Sequence, residues 1–250
     1  MLITVLIQMK KNILAILLIF AIFALFAFPV AAADTQTDKV ILVSGYGLST
    51  TTPDKVTISF GVETIDPDAK FAQNENAKKM DKVIAALKKA GIEDAHIQTT
   101  GYNIYSYQLS EYNPGNWALG TTVYKVTNTV EIISYDVDKA GSYIDVAVAA
   151  GSNNVNSLQF GLSDAKLMIE RNAAIISAVK SARADADSVS SALGLKISGT
   201  GTITVGQNYT PVSYTNADIM MKTAEGSSVR TPIESGELKT TATVSIVYTY

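Results

Sequence analysis

The chain has 250 residues, a formal net charge of −3, one histidine and no cysteine. This length suffices for one large domain or two small ones with a real hydrophobic core, so disulfides are not needed for stability. The lack of cysteine excludes thiolate zinc sites, disulfide exchange and cysteine nucleophiles. The acidic balance argues against nucleic-acid binding, which draws on a basic surface.

The first 33 residues have the order of a secretory signal peptide. Lys10 and Lys11 precede an uncharged apolar run, and Ala31-Ala32-Ala33 supplies the small residues of a cleavage site. Cleavage would leave a chain that begins at Asp34, with 18 Lys and Arg against 23 Asp and Glu. Residues 34–39 would then form a short linker before the folded domain.

The alternative is an uncleaved anchor, because residues 13–33 are 21 positions without a charge and a membrane span needs about 20 residues. In either case the sequence predicts an exported protein of the periplasm, the cell surface or the medium. Contact with a membrane is expected only through residues 13–33, and only if they are retained.

The first elements after residue 39 are strands and one helix. Residues 55–65 alternate between apolar and polar side chains, which predicts a half-buried strand, and residues 40–48 are predicted as its hairpin partner. Asp66-Pro67-Asp68 has helix-start chemistry. Apolar residues then recur every three or four positions until Gly91, which predicts a helix.

The middle of the chain returns to strands. Residues 96–109 and 123–134 are predicted strands on either side of a loop rich in Tyr, Asn, Pro and Gly. Residues 136–150 read as a short connector helix, for which Asp136 is the expected cap. Residues 157–162 form the next predicted strand.

A long helix is predicted for residues 165–193, with Asp164 as its cap. Strands follow near residues 196–205 and 238–250, separated by about thirty loop-like residues. The apolar stripe of the long helix is expected to face the sheet, and it comprises Met168, Asn172, Ile175, Ile176, Val179, Ala182, Ala186, Val189 and Leu193.

Written as elements, residues 55–134 and residues 157–250 both run strand, helix, strand, strand. Local similarity supports a duplication: Phe60-Gly61-Val62 is echoed by Phe160-Gly161-Leu162. The alternative is that strand-forming segments resemble each other by composition. We predict one domain over residues 40–250, an α+β fold of two βαββ halves with helices packed on mainly antiparallel sheet.

The ordered motifs of the chain resemble the SIMPL-domain family, also called YggE-like. The likeness covers roughly residues 40–206 and thins over 207–236. The motifs that carry it are Val43-Ser44-Gly45-Tyr46-Gly47, Pro53-Asp54, Asn76 with Met80, Ala86-Leu87, Gly91-Ile92, Ile97-Gln98-Thr99, Asn128-Thr129-Val130, Asp138-Lys139-Ala140-Gly141, Ile144-Asp145, Ala150-Gly151-Ser152-Asn153 and Leu162-Ser163-Asp164.

The resemblance implies an α+β SIMPL fold, export to the periplasm or cell surface, self-assembly, and links to envelope or oxidative-stress phenotypes. It supplies no catalytic residue, cofactor or metal ligand. The residues themselves agree, since His96 is the single histidine and no Gly-x-Ser-x-Gly elbow presents a nucleophile. His96 is therefore interpreted as an ordinary strand-edge residue.

Other candidate motifs also have structural interpretations. Gly45-Tyr46-Gly47 and Gly199-Thr200-Gly201 lack the order of a dinucleotide-binding loop and indicate tight packing or a bulge. Asn208-Tyr209-Thr210 matches a glycosylation sequon, but Pro211 follows and the host is unknown. A hydrolase using Asp145 or Asp164 ranks behind non-enzymatic functions, because no carboxylate pair stands out.

Aromatic residues concentrate between Tyr102 and Tyr124, and further amphipathic side chains lie within residues 207–236. Such side chains on loops suit recognition, although they can also cover the sheet edge of their own subunit. We predict that they form contacts in a homo-oligomer, together with an envelope or surface partner. The candidate interaction residues are Tyr105, Tyr107, Tyr112, Trp117, Tyr209, Tyr214, Met220 and Met221.

The competing prediction is a surface-binding module in which Tyr112 and Trp117 stack on a glycan or cell-wall polymer. A Trp117→Ala change separates the two hypotheses. It should weaken ligand retention without altering mass under the binding hypothesis, and should shift the mass under the assembly hypothesis.

Overall fold

The computed structural model describes residues 39–110, 115, 117–206 and 231–250, together with the backbone of residues 212–214. The described elements are the strands β1 (Val40–Thr51), β2 (Lys55–Asp66), β3 (Ile97–Gln108), β4 (Thr122–Ser134), β5 (Asn154–Gly161), β6 (Gly199–Val205), β7 (Val212–Tyr214) and β8 (Glu237–Thr249), and the helices α1 (Ala69–Lys89), α2 (Ala140–Ala150) and α3 (Asp164–Ala192). None of the described helices is long and apolar enough to cross a membrane. The signal peptide or anchor predicted for residues 1–33 lies outside the described residues.

The strands form two antiparallel sheets, which confirms the predicted α+β fold. Sheet 1 has the order β3-β4-β2-β5, and sheet 2 has the order β1-β8-β6, with β7 also paired to β8. Helices α1 and α2 pack on sheet 1, whereas α3 packs on β1 and β8 of sheet 2. The predicted duplication of residues 55–134 in 157–250 stays a prediction.

The predicted hairpin between residues 40–48 and β2 is wrong. Strand β1 pairs with β8 along its whole length, from Val40 opposite Thr249 to Thr51 opposite Leu238. Strand β2 instead pairs with β4 and β5. Because only three residues connect β1 to β2, the chain passes from one sheet to the other almost immediately.

Helix α3 lies unusually close to β1, because the strand presents glycines to it. A Cβ atom on Gly45 would lie 2.7 Å from the Ala182 backbone nitrogen, and one on Gly47 would meet the Ala174 carbonyl oxygen. The side of α3 that faces them carries small residues. The tight packing predicted for Gly45-Tyr46-Gly47 is confirmed, and β6 has the irregular register expected near Gly201.

The apolar stripe predicted for α3 is largely wrong. The buried side of the helix consists of alanines and one serine, while several large apolar side chains of the predicted stripe point to solvent; Ile176, for example, is 56 % exposed. Because β1 lies so close, only small side chains fit on the buried side of α3. A pattern of hydrophobic residues alone therefore misidentifies that side. The buried residues are Ala174, Ala178, Ala182, Ala186 and Ser190.

Two predicted helix caps are also wrong. Ser163, and not Asp164, caps α3, because its hydroxyl accepts a hydrogen bond from the Lys166 backbone N–H at 3.2 Å. Asp136 makes no capping hydrogen bond and instead forms an ion pair with Lys139. The start of α1 is as predicted, since the Asp68 carboxylate accepts from the backbone N–H groups of the first turn.

Asp54 holds the Ser163 cap in place. Its carboxylate accepts hydrogen bonds of 2.6 Å from both the backbone N–H and the hydroxyl of Ser163. Burial acts to raise the pKa of Asp54, but these hydrogen bonds and the nearby Lys166 ammonium outweigh it and leave the pKa below its ordinary value. The start of α3 is thereby tied to the β1–β2 connection.

We expect Asp54→Asn to lower the free energy of unfolding by about 1 kcal/mol at neutral pH, since the bonds to the charged group are partly screened by solvent. The folded-state pKa is depressed, so this contribution is present above the ordinary value of 3.8 and is lost as pH falls through the lowered pKa. Urea unfolding of both proteins between pH 3 and 7 tests this. Asp81→Asn, at an exposed carboxylate on α1, is the control and should change little at any pH.

Candidate functional site

Strand β3 is an edge of sheet 1. It pairs with β4 on one side, and within the described part of the chain no strand pairs with its other side. All of its residues after Ile97 are exposed, and none of its twelve residues carries a charge. Natural proteins usually protect such edges with charges, prolines or bulges.

A register shift between Thr99 and Gly101 divides β3 into two parts. Beyond the shift, Tyr102 and Ile104 lie opposite Asn128 and Val126 of β4 and share the face of sheet 1 on which α1 packs. Tyr105 and Tyr107 lie on the other face. The second half of the strand is therefore a regular edge with apolar side chains on both faces.

Tyr105, on the face of sheet 1 away from α1, lies near an ion pair. The Lys125 ammonium lies 2.7 Å from the Glu63 carboxylate. Hydrogen bonding to Glu63 raises the pKa of Lys125 against the opposing effect of burial, and Tyr105 adds to the rise. The rings of Tyr105 and Tyr107 pack against each other with centroids 6.0 Å apart.

A groove of about 450 Å³ lies where β3 ends, between the last residues of β2 and the first half of α1. The lining carries carboxylates, and the connection between β3 and β4 contributes one aromatic ring, that of Trp117. The Trp117 ring covers Gly115, where a Cβ atom would lie 2.6 Å from it. The lining includes Glu63, Asp66, Phe71, Glu75, Lys79, Tyr107 and Trp117.

The structure places some of the predicted interaction residues and not others. Tyr105 and Tyr107 lie on a strand and not on a loop, and Trp117 lines the groove together with Tyr107. Tyr214 belongs to β7, but its side chain lies outside the described residues. Four predicted interaction residues also lie outside them: Tyr112, Tyr209, Met220 and Met221.

The groove contains residues that the sequence reasoning missed. Phe71, in the first turn of α1, is 55 % exposed. Glu75 lies one turn further along the same helix. Their only sequence signal is their spacing of four on a predicted helix, which places them on one side. This spacing is too common to identify a site by itself. The site becomes visible only when the end of β2 and the β3–β4 connection are seen to lie beside these two residues.

Both carboxylates considered for hydrolysis lie on helices. Asp145 accepts a 2.7 Å hydrogen bond from the Thr231 hydroxyl, which fastens the segment before β8 to α2. Asp164 lies in the first turn of α3. The His96 ring packs edge-on against Tyr135, with centroids 5.5 Å apart. Among the described residues, no group of three or more His, Asp or Glu is placed to hold a metal ion.

Over the described residues, the arrangement defines a class of protein: an α+β domain of two antiparallel sheets and three helices, with an unpaired edge strand and an aromatic groove beside it. The family model of SIMPL, "Protein of unknown function (DUF541)", matches residues 41–248. The chain belongs to the SIMPL family, as its motifs predict.

Curated relatives agree with this assignment. The 26 kDa periplasmic immunogenic protein of Brucella melitensis is 28 % identical over 211 residues, which is 83 % of each chain. The uncharacterized protein YggE of Edwardsiella ictaluri is 26 % identical over 189 residues, covering 76 % of this chain and 77 % of the relative. The YggE of Escherichia coli K12 is 28 % identical over 145 residues, which is 57 % of each chain.

Proposed function

We propose that this chain is an exported, non-enzymatic protein of the cell envelope that assembles with copies of itself through strand β3. An association with envelope stress belongs to the same proposal. The observation that carries it is the open edge of β3, which is uncharged and exposed on both faces. The name of the Brucella relatives, a periplasmic immunogenic protein, supports the export part of the proposal.

Strand pairing across the β3 edge would satisfy backbone groups on both copies. Strand addition gains affinity from main-chain hydrogen bonds, while alternate side chains supply specificity. Tyr102 and Ile104 on one face and Tyr105 and Tyr107 on the other would be covered on assembly. Interfaces between proteins are enriched in such aromatic side chains and depleted in charged ones at their centres.

Light scattering on the chain from Asp34 to Tyr250 should give a mass above that of a monomer. Ile104→Lys should return the mass toward the monomer, because it places a charge at the centre of the proposed contact. The matched control is Ile169→Lys on α3, where the isoleucine is also exposed, at 65 % against 42 % for Ile104, but lies on a helix. Assembly through β3 would be refuted if the starting protein were monomeric. It would also be refuted if Ile169→Lys lowered the mass and Ile104→Lys did not.

A surface-binding module is the second candidate, and the groove beside β3 is the observation that favours it. Trp117 lines this groove with Tyr107, so Trp117→Ala should reduce retention on a glycan or cell-wall polymer while Ile104→Lys should not. Pull-down on purified cell-wall material measures this directly. Retention that is unchanged by Trp117→Ala would contradict binding through the groove.

A further inference from the structure

The groove beside β3 has an unbalanced charge. Its lining carries three carboxylates, those of Glu63, Asp66 and Glu75, against the single ammonium of Lys79. Hydrogen bonding from Lys78 lowers the pKa of Glu75, so this carboxylate is ionised at neutral pH. The lining therefore carries more negative than positive charge, although Lys78 and Lys82 also lie close to Glu75.

Two of the carboxylates are held by lysines outside the lining, and one is not. Glu63 pairs with Lys125 at 2.7 Å and Glu75 with Lys78 at 2.8 Å. Each of these contacts joins the lysine to one oxygen of the carboxylate. Asp66 accepts a backbone hydrogen bond from the Asp68 N–H at 2.8 Å, and no lysine pairs with its carboxylate in the described part of the chain.

The same lining also carries aromatic rings. Phe71, Tyr107 and Trp117 line the groove, and aromatic faces attract cations that approach within about 6 Å of the ring centre. A neutral sugar would leave the charge of Asp66 unpaired, whereas Glu63 and Glu75 already have lysine partners. The one side-chain amide present, that of Asn153, is already occupied, since it donates to the Glu63 carbonyl and accepts from the Glu63 N–H.

We propose that the groove binds a small organic cation carrying ammonium groups, such as a linear amine with several charges. An ammonium group would lie beside Asp66 and Glu75, and the methylene chain would pack against Phe71 and Trp117. This proposal does not depend on self-assembly, because the groove belongs to a single chain.

Trp117 is the only tryptophan, so its fluorescence reports on this groove alone. We would titrate protein purified from exporting cells with spermidine, and in parallel with a neutral chitin trisaccharide and with sodium chloride of matched ionic strength. Spermidine should give a saturable change in emission, matched by heat in calorimetry, and its affinity should fall as salt is added. The trisaccharide and the salt should give no saturable change.

Carboxylate variants test which residues are responsible. Asp66→Asn keeps the bond to the Asp68 N–H but removes the charge, and should weaken spermidine binding about fivefold; adding Glu75→Gln should weaken it about tenfold or more. Glu237→Gln, on β8 of sheet 2, is the matched control and should bind normally. Unchanged unfolding midpoints would show that the variants are folded.

Three results would overturn the proposal: no spermidine signal in either fluorescence or calorimetry at low salt, equal binding by the Asp66→Asn/Glu75→Gln protein, or saturable binding of the trisaccharide alone. Light scattering on the same samples keeps this test separate from assembly. Ile104→Lys should change the mass and leave spermidine binding intact, so either proposal can fail without the other.

Discussion

Replacing Gly45 with alanine is expected to lower the free energy of unfolding by about 3 kcal/mol, and Gly47→Ala should act similarly. The added Cβ of residue 45 would lie 2.8 Å from the Ala182 Cβ and still nearer to the Ala178 carbonyl oxygen. Backbone atoms of α3 cannot move aside as a flexible side chain can, so the helix must shift away from β1. Urea unfolding followed by circular dichroism measures the loss.

The matched control for these variants is Gly201→Ala in β6 of the same sheet. A Cβ atom there would have its nearest neighbour at 3.5 Å, which is ordinary contact. We expect its stability to stay within about 0.5 kcal/mol of the starting protein. If Gly45→Ala and Gly201→Ala unfold at the same urea concentration, the close helix–strand contact does not contribute as described.

The second large effect is expected at Asn76, which is completely buried on α1. Its side-chain amide donates to the Val62 carbonyl oxygen of β2 at 2.8 Å and to the Val126 carbonyl oxygen of β4 at 3.1 Å. Asn76→Ala would leave both buried carbonyls without this donor, which should cost about 3 kcal/mol. The matched change Asn172→Ala, at an exposed position of α3, should cost less than about 0.5 kcal/mol.

Asn76→Asp adds a pH test of the same contact. An ionised carboxylate cannot donate to the two carbonyl groups, and burial favours the neutral acid, so the folded-state pKa should lie above the unfolded value of about 3.9. This variant should be least destabilised below that value and lose stability as pH rises through the raised pKa. A destabilisation independent of pH between 4 and 8 would mean that residue 76 is solvated, contrary to its burial.

Much of the fold follows from local patterns in the sequence. The alternation over residues 55–65 gives β2 (Lys55–Asp66), and the start signal at Asp68 and the stop at Gly91 bracket α1. These features succeed because strand alternation, caps and left-handed glycines depend on neighbours close in sequence. Gly91, with a φ of 102°, is one such position.

The errors come from partners distant in sequence. A short connection between β1 and β2 favours a hairpin, but β1 finds its register on β8, with Ser44 opposite Ser245. The face of α3 was misjudged because the size limit set by Gly45 and Gly47 arises only when β1 lies against the helix. No local periodicity carries that information.

The candidate site was predictable only in part. The aromatic residues from Tyr102 to Trp117 stand out by composition, and the structure places Tyr105 and Tyr107 on the edge of sheet 1. The acidic side of the groove could not be foreseen. In the sequence, Asp66 stands in a predicted turn before a helix. Only the folded chain places Asp66 and Trp117 in the same groove.

The pairing of β1 with β8 also sets an order in which the molecule can fold. The strands of sheet 1 all lie within residues 55–161, whereas sheet 2 joins segments about 200 residues apart, as in the contact between the Ser44 and Ser245 hydroxyl groups. Closing so long a loop is costly and slow compared with local pairing. During synthesis, β1 therefore has no strand partner until β8 has been made, although α3, which packs on its glycines, is made earlier.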